Sequence, residues 1–142
     1  MEKKVFGSEM WKAVEVGDVV FVNATPHKIK IWKDGHVVMA IPSCGTVLRV
    51  LPRQSVVAEV AGVPVVKTEF EDKVAGFEKL VSEAKKEFEN KKIVVITSTL
   101  VAQAVSSFED ERVMVVAPDM RPFGAVRDES GKIVAVKGFQ IF

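Results

Sequence analysis

Valine sets the first constraint on this chain. The sequence of 142 residues holds 28 valines and 7 isoleucines, and no tyrosine. A β-branched side chain loses χ1 freedom in a helix but packs well on a pleated surface, so this is strand composition. The valines fall into two kinds of context. In the first half they alternate with polar residues or sit in short runs between turn residues. In the second half two continuous runs, 93–96 and 113–116, have the character of strands buried on both faces.

Turn residues divide the first half into short antiparallel strands. Ser8 reads as the cap of a helical turn over 9–14 that ends at Gly17, and Asp18 to Asn23 reads as a first buried strand. Thr25-Pro26-His27 breaks it. Residues 28–33 alternate charged and apolar with period two, as a half-buried strand does. Asp34-Gly35 is a two-residue hairpin signal, and 36–41 is the returning strand. Pro42 to Gly45 is a turn, and Thr46 to Leu51 reads as a further strand. Val56 to Val60 and Pro64 to Phe70 flank a second hairpin turn at 61–63.

The second half changes period. Val74, Phe77, Leu80, Val81, Ala84 and Phe88 recur at helical spacing, with Lys and Glu between them, so a helix is expected from Asp72 to Glu89. The apolar strand 93–96, a short helix capped by Ser98 or Thr99, and the strand 113–116 together read as one βαβ unit with parallel pairing. A last hairpin turns at Ser130-Gly131. The expected fold class is α+β: a mixed sheet of short, mainly antiparallel strands with one βαβ unit and two helices. No repeat or linker divides the chain, so residues 1–142 read as a single domain, with 1–17 as an N-terminal extension.

Charge narrows the function classes. Net charge is +1, and the basic and acidic residues balance in each half: nine against seven up to residue 70, eleven against twelve after it. Neither half is a basic arm, so no nucleic-acid partner is expected. The longest uncharged apolar runs are five residues, against about 20 for a membrane helix. The N-terminus lacks a secretory pattern, and a single cysteine, Cys44, excludes an internal disulfide. A cytoplasmic protein without membrane contact is expected. Asn and Gln total five while Lys and Glu dominate the charges, which is the thermophile pattern.

Several strings, taken in order, resemble a family of small uncharacterised proteins encoded in phages, prophages and prokaryotic genomes. Asn23-Ala24-Thr25-Pro26-His27 resembles its Asn-Leu-Thr-Pro-His opening. Ile41-Pro42-Ser43-Cys44-Gly45, followed by Leu48-Arg49-Val50, is similar to its Ile-Pro-Pro-Ser-Gly turn and a strand ending Ala-Arg-Val. Gly62 to Val65, Val95 to Ser98 with Val101 to Ala104, Ala117 to Asp119 and Ala125 to Asp128 continue the likeness, which spans about residues 20 to 139. It departs at Ser43, Cys44 and Leu48. The resemblance implies a mobile-element origin and the limits of the domain, and carries no activity.

The candidate ligand-binding residues are Asn23, Thr25, His27, Ser98, Thr99, Asp119 and Arg127. In an open α/β sheet, ligands bind beyond the carboxyl ends of parallel strands. The turn at Thr97 to Thr99 and the loop from Pro118 to Phe123 both leave that edge, so hydroxyls, a carboxylate and a guanidinium there would suit a small anionic or nucleotide-like ligand. Each residue also has a plainer reading. Ser98 and Thr99 cap a helix, an Arg–Asp pair braces a hairpin, and Asn23, Thr25 and His27 perform turn chemistry. No catalytic set is assigned. His27 and His36 form no metal-ligand spacing, no cofactor is expected, and Cys44 reads as a small residue filling a turn. Arg49, in an apolar strand, calls for a buried partner such as Glu59 or Glu69. A valine-rich sheet of this size leaves edges to cover, so a homo-oligomer is expected, and a non-enzymatic interaction or structural role is the alternative to ligand binding.

Overall fold

A computed structural model describes residues 1–70 and 73–142. Among the described residues the chain is α+β and mostly β, with two helices, twelve strands and mixed sheets. The strands are β1 (Glu2–Phe6), β2 (Trp11–Val16), β3 (Val19–Asn23), β4 (Ile29–Lys33), β5 (His36–Ile41), β6 (Pro52–Val60), β7 (Val63–Phe70), β8 (Lys92–Ile96), β9 (Val113–Pro118), β10 (Ala125–Arg127), β11 (Ile133–Val136) and β12 (Phe139–Gln140). Helix α1 (Phe77–Glu87) precedes β8, and α2 (Thr99–Ala104) lies between β8 and β9.

A six-stranded sheet in the order β1-β2-β3-β8-β9-β12 forms the centre. Its middle pairings, β3 with β8 and β8 with β9, are parallel, and its outer ones are antiparallel. The valine and isoleucine runs fill this middle. Their side chains alternate: Val20, Val22, Ile93, Val95 and Val113 enter the core on one face, and Val94, Ile96 and Val116 enter a second core on the other. A strand flanked on both sides can hold apolar residues in succession only when both faces are covered.

The two covers differ in kind. On one face α1 contributes Phe77, Leu80, Val81 and Ala84, spaced by three or four residues so that they form one stripe. Leu80 is fully buried, which is worth about 2–3 kcal/mol against exposure. On the other face lies a four-stranded sheet, β10-β11-β4-β5, from which Ile41 joins the core and Ile29 and Met39 pack against it. β6 and β7 form a separate two-stranded ribbon. It is rooted in the helical-face core through Leu48 and Val50 before it and Val74 after it.

Several segments depart from the sequence reading. Residues 11–16 form strand β2, where a helical turn over 9–14 was expected. Trp11 and Ala13 enter the helical-face core and Val14 the opposite one, a period of two that pairing with β1 and β3 stabilises. The N-terminal extension is thereby two strands of the central sheet. Thr46 to Leu51 makes no ladder; Leu48 is drawn into the core instead, and its N–H donates to Ala24 O at 3.1 Å. Arg49 is exposed, so water solvates the guanidinium and no buried ion pair is needed. Helix α1 begins at Phe77 because Gly76 takes φ 84 there; Asp72, the expected start, lies outside the described residues. β12 was not anticipated.

Candidate functional site

The register brings the carboxyl ends of three parallel strands together. Asn23 pairs with Ile96, and Ile96 with Val116. The residues just beyond, including Thr25, Ser98, Thr99 and Asp119, therefore gather at one edge. Arg127 does not. It lies at the far end of β10, is exposed, and donates to Gly131 O at 2.7 Å. The guanidinium at this edge belongs to Arg121.

Asn23 is completely buried. Its amide nitrogen donates to His27 O at 2.7 Å and to Ile41 O at 3.0 Å, and its Oδ1 accepts from the Thr25 N–H at 3.0 Å and the Thr25 hydroxyl at 2.6 Å. One side chain thus ties β3 to the end of β5 and closes the turn through Pro26. The backbone around it is equally engaged: Ala24 N–H donates to Ile96 O, and Cys44 N–H to Asn23 O. His27 is exposed and contributes its carbonyl. Ser98 Oγ caps α2, accepting from Val101 N–H at 3.3 Å, and the buried Thr97 hydroxyl donates to Ser98 O at 3.0 Å. Thr99 is exposed at the first turn of a six-residue helix.

Asp119 holds the closing loop. Its oxygens accept two hydrogen bonds from the Arg121 guanidinium, both at 2.9 Å, and one from the Arg121 N–H at 3.2 Å. The guanidinium beside it holds the carboxyl below the usual carboxylate range, against the opposing effect of burial. Gly124 is required for this loop, because a Cβ there would overlap the Asp119 carboxyl carbon. The loop displays Met120 and Phe123, the latter 92 % exposed. Cys44 is buried and donates to Thr46 O at 3.3 Å; burial pushes its thiol up, away from the reactive thiolate.

A groove of about 1200 Å³ runs between α1 and residues 104–112, over Phe77 and Phe108, whose rings meet edge to face at 5.1 Å. Its rim charges are largely engaged in the fold. Lys85 pairs with Asp110, and Arg112 donates to Phe88 O at 2.6 Å and Lys91 O at 3.2 Å, closing the end of α1.

The sequence reading places the β6–β7 hairpin but misses its exposure. Every residue of β6 and β7 is exposed, including Val56, Val57, Val60, Val63, Val65, Val66 and Phe70. Ala61 and Gly62, at φ 50 and φ 78, make the left-handed turn that a two-residue hairpin requires. An isolated two-stranded hairpin is marginal in water, and apolar residues displayed together mark a contact surface. The sequence did hold a signal: valines fall on both parities of each strand, which no single-sided core explains. Among the described residues no helix is long and apolar enough to cross a membrane, and no group of three or more His, Cys, Asp or Glu could hold a metal ion. No family model, curated protein or solved structure matches the chain.

Proposed function

We propose that this protein is a non-enzymatic assembly protein that forms homo-oligomers through its β6–β7 ribbon. The single observation behind this reading is that strands of nine and eight residues, with seven large apolar side chains, are exposed along their whole length. Burying such side chains yields about 25 cal/mol per Å² of apolar surface, and only a partner can supply that burial. A second copy is the partner of choice on charge grounds. Arg53 and Lys67 balance Glu59 and Glu69, so the ribbon is neutral and identical copies do not repel. The resemblance to small phage-encoded proteins fits an assembly role in a mobile element, acting in the cytoplasm of its host.

The anionic-ligand reading has less support. Ser98, Asp119 and Arg127 each hold a partner within the chain, and Asn23 and Thr25 are buried in one hydrogen-bonded turn. Sedimentation velocity across micromolar to submillimolar concentrations tests the assembly reading. Discrete oligomers are expected, and a monomer at the top of the range removes it.

A further inference from the structure

We infer that two ribbons associate face to face at their tips, through the face that carries Ala58, Val60, Val63 and Val65, to give a finite two-fold pair. This rests on the assembly reading above and specifies which surface does the work.

The register separates the ribbon's two faces. Opposed residues of an antiparallel pair share a face, and successive pairs alternate. Val60 opposes Val63, and Ala58 opposes Val65 across the bulge at Val57. These four lie on one face, and nearer the root the same face carries Ser55 opposite Lys67 and Arg53 opposite Glu69. It is therefore apolar in its tip half and charged in its root half. The other face holds Val56 opposite Val66 and Glu59 opposite Pro64, so a carboxylate sits inside its apolar half. Packing that face on its own copy would desolvate two glutamates without a cation, a cost of several kcal/mol per ion. The Ala58–Val65 face has no such charge. Val60 and Val63 are each 62 % exposed.

The overlap is limited to the tips. If two such faces overlapped along their whole length in antiparallel fashion, each apolar tip would lie on the partner's Lys67 and Glu69. With only the tips overlapping, apolar meets apolar, and the Lys67–Glu69 ion pair at 3.1 Å stays in water. Edge pairing is blunted on both sides. In a two-residue hairpin the pair flanking the turn is hydrogen-bonded, so the next pair, Glu59 with Pro64, directs its backbone groups outward. Pro64 has no N–H to offer there, and the bulge at Val57 interrupts the β6 edge. A face-to-face contact related by a two-fold axis closes on itself, whereas open edges propagate.

The test compares two identical substitutions on opposite faces in the full chain, each checked by circular dichroism for an unchanged fold. Val65→Asp is expected to weaken association about a hundredfold. Val56→Asp should change it by no more than about threefold. The reverse ranking overturns the choice of face while leaving assembly through the ribbon intact. Wild-type assembly that neither substitution weakens overturns both the inference and the role of the ribbon. A monomeric wild type overturns assembly itself; if it also floats with vesicles of phosphatidylcholine and phosphatidylglycerol, the tip is a lipid contact. Pro64→Val supplies a further readout: restoring the missing donor should turn the finite pair into larger, polydisperse species, and its failure to do so overturns the account of the edges.

Discussion

The Asn23 turn and the β6–β7 ribbon are both strand-and-turn segments, yet they treat polarity in opposite ways. At the turn the polar side chains are buried and every one of their hydrogen bonds is met within the chain. On the ribbon the apolar side chains are exposed, with only one another for neighbours across the two strands. A residue type associated with chemistry can be wholly consumed in building a fold, and a residue type associated with cores can be left outside in solvent. Polar clusters therefore deserve to be counted against their own backbone before they are read as sites.

The widest gap between the two regions should appear on substitution of Asn23. Asn23→Ala removes one donor group shared by two carbonyls and one acceptor, and a loss of about 2–4 kcal/mol is expected in chemical denaturation. A change under 1 kcal/mol would make the turn as dispensable as the ribbon. Gly124→Ala comes next. The new methyl group must push aside a carboxylate fixed by Arg121, so a cost of about 1–3 kcal/mol is expected, read as a fall in Tm. Ser98→Ala should cost about 1 kcal/mol through the lost cap alone. Added inorganic phosphate should leave the Tm of wild type and variant equally unmoved; a phosphate-dependent rise in the wild type alone would restore the anion site. Val66→Thr, on the ribbon, should shift monomer stability by no more than about 0.5 kcal/mol.

Acid sharpens the same contrast. Asp119, held down by Arg121, Asp110, held down by Lys85, and Asp128, held down by Ser130 and the Lys132 N–H, all have lowered carboxyl pKa values in the folded chain. The unfolded chain then binds more protons in the acid range, so stability is fully present above about pH 4 and is lost as pH falls through the folded values. Unfolding followed between pH 6 and 2 should show this decline, and Asp119→Asn should reduce its steepness.

Much of the local structure was legible. Asp34-Gly35 placed one hairpin, the spacing of Phe77, Leu80, Val81 and Ala84 placed α1, and the unbroken runs at 93–96 and 113–116 placed the buried strands. What failed was whatever depends on a distant partner. Residues 11–16 form a strand because β1 and β3 flank them, and the cap-like Ser8 with Gly17 concealed it. Phe139 and Gln140 become a strand only by meeting Pro118 and Ala117. The strand ends that lead to Asn23, Ser98 and Asp119 meet at one edge, but which guanidinium reaches it, Arg121 and not Arg127, is a matter of loop conformation. The ribbon's periodicity said strand and was silent on whether any surface lay beneath it.

The pairing of β3 with β8 joins Val19 to Lys92, so the centre of the protein waits on contacts between remote parts of the chain, whereas β6 and β7 meet across two residues. Local hairpins close within about 1–10 μs, and long-range parallel sheets are far slower. On this order of events the apolar hairpin is sampled, though only marginally stable, before the body that carries it exists. On the assembly proposed above, copies made close together in time would meet first through their ribbons, so the yield of closed pairs should depend on how fast and how warm the chain is synthesised.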